Sequence, residues 1–124
     1  MRLPILTALV LALSTSFAAA DGHADKGKKV FKKCAACHTA DEGGKNKIGP
    51  NLFGIFDAAA GRSETYKYSK PFKAKAEEGL KWDEETLQAW LKNPQAMIKK
   101  SKMRTKVKKE KDRDNVIAYL KTLK

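Results

Sequence analysis

The chain contains only two cysteines, Cys34 and Cys37, and two residues separate them. That spacing limits what can hold a fold together. A small chain with a weak core normally needs a staple, and in exported chains the usual staple is a set of disulfides. A bridge between Cys34 and Cys37 would close almost no loop, so it would take little entropy from the unfolded chain. Yet this chain needs support. Without the apolar leader at residues 1–20, about 37% of its residues are hydrophobic, against roughly 45–50% in an ordinary domain. Two tryptophans and several long periodic segments argue against disorder. A core filled in part by something other than protein is the solution that remains.

His38 follows Cys37 directly, so residues 34–38 read Cys-Ala-Ala-Cys-His, the attachment signature of c-type haem. The chemistry explains the spacing. Each thiol adds across one haem vinyl group, and two intervening residues set the sulfurs at the separation of those vinyls. The next residue then places an imidazole beneath the iron. One covalently bound haem c is therefore the expected cofactor, with Cys34 and Cys37 as its attachments and His38 as an axial ligand. A thioredoxin-like dithiol would need a βαβ context, which the sequence lacks. Half a zinc site would need further soft ligands, and only His23 remains.

Residues 1–20 have the three parts of a secretory signal peptide: Arg2, an apolar stretch from Leu3 to Phe17, and Ala18-Ala19-Ala20. The apolar stretch is too short for the roughly 20 residues of a membrane span. Cleavage after Ala20 is expected, with the domain at 21–124 and placement in the periplasm. The formal net charge is +12, which calls for an anionic partner. Export argues against nucleic acid, and the expected partners are acidic docking faces of membrane redox proteins. No membrane anchor is expected, and the chain reads as a monomer.

The fold class reads as all-α, with helices and long loops. Residues from Asp25 to about Cys34 place Gly27, Val30, Phe31 and Cys34 on one helical face. Residues 41–62 are glycine-rich and read as an irregular loop. Ser69 can cap a short helix that tolerates Pro71 in its first turn and ends at Gly79. Asp83 is a good N-cap for a helix carrying Leu87, Trp90 and Leu91, which must stop before Pro94. A last helix is expected from about Asp112 to Leu123.

A sixth iron ligand can come from Met97 or Met103. A methionine beside an apolar helix, like Met97, is ordinary core filler. Met103 lies in a basic loop, Lys99-Lys100-Ser101-Lys102-Met103-Arg104, with no packing reason to be apolar. Met103 is therefore the expected ligand.

Together these segments resemble the class I cytochromes c over almost the whole chain after residue 20, and among them the bacterial cytochromes c2. The resemblance is carried by Gly27-x-x-x-Phe31, the Cys34–His38 motif, Gly49-Pro50-Asn51-Leu52-Phe53-Gly54, Trp82, Ser101-Lys102-Met103 and Val116-Ile117-Ala118-Tyr119-Leu120. It implies a small class I fold wrapped around one haem, with the first and last helices crossing at Gly27. It implies that the Pro50 carbonyl fixes the His38 tautomer, and that Arg62, Tyr68 and Trp82 meet the haem propionates. Three departures stand out. Asp57-Ala58-Ala59-Ala60 lengthens the connection before Arg62. Lys99-Lys100 replaces a common Pro-Gly, and Thr105 replaces a shielding phenylalanine.

The expected function is that of a mobile one-electron carrier and not an enzyme. The resemblance implies a bc1-type donor complex and a reaction centre or terminal oxidase as acceptor, in photosynthesis or respiration. Nine basic residues from Lys99 to Arg113, and four from Lys28 to Lys33, are expected to ring the haem edge and steer docking. A haem enzyme or gas sensor with an open sixth position is the alternative reading.

Overall fold

The computed structural model describes residues 22–124, so the expected leader and its cleavage point lie outside the described residues. Five helices follow in order: α1 (Ala24–Phe31), α2 (Lys70–Glu77), α3 (Glu84–Lys92), α4 (Pro94–Met97) and α5 (Glu110–Lys121). Among the described residues there is no strand, only one isolated antiparallel bridge between Ala59 and Lys81.

The centre of the architecture is the crossing of α1 and α5. Gly27 makes it possible, because a Cβ there would lie 1.8 Å from the Asn115 carbonyl oxygen. With no side chain in the way, Phe31 and Tyr119 meet at 5.2 Å between ring centroids. The start of α1 is also tied down, since the His23 amide donates to the Asn115 Oδ1 at 2.9 Å. The α-helix stops at Phe31, short of the expected end near Cys34. The chain continues as turns through Cys37, with Cys34 N donating to Phe31 O at 2.8 Å.

Local chemistry sets the other helix starts. Ser69 caps α2 by accepting from the Phe72 amide, and Pro71 sits in the first turn, where its missing N–H is harmless. Asp83 and Thr86 form a capping box at α3. Helix α5 begins at Glu110, two residues before the expected start, with Glu110 and Asp112 facing the positive end of its dipole. Pro94 ends α3 and opens the short α4, which the sequence reading omits.

Leu87, Trp90 and Leu91 of α3 join Val116, Ile117 and Leu120 of α5 in the core. Arg113 is buried among them. Its Nε donates to Gln88 Oε1 at 2.9 Å, and its Nη1 donates to the carbonyls of Val107 and Lys108. That overturns one expectation: Arg113 is a tie between α5, α3 and the preceding loop, and not part of a docking surface. Residues 57–60 pair with the segment that leads into α3. Ala60 N donates to Leu80 O, and Trp82 N donates to Ala58 O, both at 2.9 Å, so this connection holds the segment carrying Trp82 in place.

Candidate functional site

The Cys34–His38 segment forms a single tight turn, in which both Cys37 N and His38 N donate to the Cys34 carbonyl, at 3.0 and 2.9 Å. Cys34, Cys37 and His38 thereby reach one cavity in the middle of the molecule. Burial pushes the Cys34 thiol up, the neighbouring Cys37 adds to the rise, and Lys33 opposes it. No disulfide joins Cys34 to Cys37.

The geometry around His38 selects one nitrogen. Its Nδ1 lies 2.7 Å from the Pro50 carbonyl, which can only accept, so Nδ1 carries the proton and Nε2 keeps its lone pair. Burial lowers the His38 pKa and the Pro50 contact raises it, with burial the larger cause. The imidazole is therefore neutral at pH 7, the form that binds a metal. Gly49 lies under the ring: a Cβ there would come 2.3 Å from His38 Cε1.

Met103 lines the same cavity from the segment between α4 and α5, and Met97 does not. Ser101 holds this segment by donating to the Met103 carbonyl at 2.7 Å, while Gln95 Nε2 donates to the Ser101 carbonyl at 2.8 Å. Lys100 takes a left-handed backbone conformation, φ 59°, at a position where glycine would be unstrained. Lys102 is not free. Its ammonium donates to the Lys67 carbonyl at 2.7 Å and sits 5.4 Å from the centroid of the Tyr66 ring.

Arg62, Tyr68 and Trp82 also line the cavity. Arg62 donates through Nη1 to Gly54 O at 2.9 Å and through Nη2 to Phe53 O, so two of its five N–H groups are already used. The Tyr68 hydroxyl accepts from the Ser63 amide at 3.1 Å, leaving its own proton to donate. Trp82 is buried and packs against Trp90 and Phe72. Between these polar groups the walls are apolar, with Leu52, Ile55, Leu91 and Leu120 facing in. Two thiols, a metal-ready imidazole, a thioether, apolar walls and a polar edge are the donor set of a covalent haem. The residues fit that group.

The Cytochrome c family model matches residues 24–124. The chain belongs to the cytochrome c family. It is 46% identical to a cytochrome c2 of Rhodospirillum rubrum, over 92% of this chain and 90% of that one. It is 44% identical to a cytochrome c of the plant Stellaria longipes, over 81% of this chain and 92% of that one. The solved structure of cytochrome c2 from Rhodospirillum centenum superposes with a TM-score of 0.78 at 37% identity, covering 82% of this chain and 98% of that one. A cytochrome c holds haem c covalently, here through Cys34 and Cys37. This cytochrome is an electron carrier of the c2 type and not an enzyme.

Sequence reasoning missed Tyr66. Its hydroxyl donates to the Ile48 carbonyl at 2.7 Å, and its ring carries Lys102. Tyr66 thus joins the loop after the haem motif to the methionine loop. The alternation of Tyr66 with Tyr68 was the available sign.

Proposed function

We propose that this cytochrome is a mobile one-electron carrier working in the periplasm after cleavage at Ala20, with His38 and Met103 as axial iron ligands. The single observation carrying the reading is that Met103 shares the cavity of the Cys-x-x-Cys-His turn. With haem bound, His38 and Met103 would hold its iron, leaving no open coordination site for a substrate, and a thioether ligand would raise the reduction potential relative to two nitrogen ligands. The haem, when bound, supplies a ferrous/ferric couple. The chain's own residues do the rest. His38 is oriented by Pro50, the apolar walls exclude water, and Arg62, Tyr68 and Trp82 offer N–H and O–H donors to the propionates.

Among the described residues no helix is long and apolar enough to cross a membrane. The partners proposed are the acidic docking faces of a bc1-type complex as donor and of a reaction centre or terminal oxidase as acceptor. Lys33, Lys102 and Arg104 line the cavity and carry the positive charge to its edge.

The test of ligation is spectroscopic. The ferric protein should show the weak near-infrared band of an iron–thioether bond, and the reduced protein should not react rapidly with carbon monoxide. Met103→Ala abolishes the band, opens the iron to carbon monoxide and lowers the potential, whereas Met97→Ala leaves all three unchanged. Rapid carbon monoxide binding by the unaltered protein would instead establish the open-site haem enzyme or sensor.

A further inference from the structure

Ile48 is 73% exposed, and no other large hydrophobic side chain among the described residues is exposed. A single exposed isoleucine is ordinary on a protein surface. Its position here is not. Ile48 stands on the rim of the haem cavity, which it shares with Lys33, Lys102 and Arg104.

Its backbone is fixed on three sides. The Tyr66 hydroxyl donates to the Ile48 carbonyl at 2.7 Å, Lys47 N donates to Gly49 O at 2.9 Å, and Gly49 N donates to Cys37 O at 2.8 Å. The adjacent lysine does not sheathe it either. Lys47 folds back so that its ammonium donates to the Ala35 carbonyl at 2.9 Å, leaving the isoleucine bare. A rigid, unsheathed apolar side chain loses little entropy when it is covered. An apolar centre bordered by charge is the general anatomy of a protein interface, where a few desolvated side chains carry most of the energy.

We propose that Ile48 is the apolar anchor of the docking face, seated in an apolar recess that carboxylates surround on the redox partner. The proposal rests on the acidic-partner reading above and adds a contact that charge does not supply. The two act at different ranges. The lysines act through solvent and are screened by salt, whereas a buried isoleucine acts only at contact and is not.

The experiment is the second-order rate of electron transfer from a purified, quinol-reduced bc1-type complex, measured across ionic strength for the holoprotein and for Ile48→Ser. The unaltered protein slows as salt rises. Ile48→Ser is slower by roughly 5–10-fold at every ionic strength with the same slope, the loss expected from truncating one desolvated contact. Its reduction potential and its reaction with ferricyanide, which needs no recess, are unchanged. If Ile48→Ser superimposes on a salt-dependent parent, the anchor is wrong and the acidic-partner reading stands. If the parent is flat but Ile48→Ser is still slow, the anchor stands and the acidic-partner reading falls. A changed potential or ferricyanide rate would place the effect inside the haem pocket and overturn the anchor.

Discussion

Gly49 carries no side chain because His38 occupies the space a methyl group would need. With a Cβ 2.3 Å from Cε1, the ring of Gly49→Ala must tilt or slide, and its Nδ1 leaves the Pro50 carbonyl. The expected outcome is a several-fold drop in the ratio of haem absorbance to protein and a shift of the remaining ferric protein toward high spin. Gly43→Ala is the control. Gly43 has a positive φ, 70°, with open space around it, so that variant costs about 1 kcal/mol of backbone strain and keeps its full haem. Most of the residues at this centre could be read in advance, because the attachment motif is contiguous and its chemistry dictates its spacing. Tyr66 and Lys102 could not. Their partners, Ile48 and Lys67, come close only after three separate loops fold together.

The helices were legible where a capping side chain announced them, as at Ser69 and Asp83, and less so where none does. Helix α5 has Lys109 as its N-cap with no side-chain bond, which is why its start is placed late by pattern alone. Helix α4 is four residues long and too short for periodicity to reveal. The caps also carry a pH dependence. Hydrogen bonds from the Thr86 amide and side chain, with Lys81 and the Glu85 amide, hold the Asp83 carboxyl below its ordinary value of 3.8. A depressed folded value means that the stability it contributes is fully present above that ordinary value and is lost as pH falls through the depressed one. Asp83→Ala should lower Tm by a few degrees at pH 7, and the gap to the unaltered protein should close as thermal melts are moved below pH 3.8.

The methionine loop is fastened differently, by Lys102 at the Lys67 carbonyl. Lys102→Met keeps the hydrocarbon stem against Tyr66 and removes the hydrogen bond, a loss of about 1 kcal/mol. The near-infrared iron–thioether band should then disappear at a lower denaturant concentration. The helical circular dichroism should melt where it did before, because the core of α1, α3 and α5 is untouched.

At the scale of the molecule, the haem is part of the core. The cavity is lined by residues of α3, of α5 and of the Cys34–His38 turn, so the haem would complete a core that the helices alone fill only in part. A Cys34→Ala/Cys37→Ala variant should keep less than roughly half of the helical circular dichroism, in line with the small core available to a chain of this size. A nearly native spectrum from that variant would mean that the helices are stable without the group they surround.

The α1–α5 crossing bears on the order of events during biosynthesis. His23 and Asn115, which hydrogen-bond across it, are 92 residues apart in sequence. Synthesis delivers the haem-binding turn at residues 34–38 early and α5 last, so the ribosome has nearly finished before the two helices can meet. Until then the attachment site is displayed on an open, extended chain, and contacts of such long range form slowly. Haem joined to the two thiols before that crossing forms would meet a site still open on the α5 side, and the close approach at Gly27 would then shut it in.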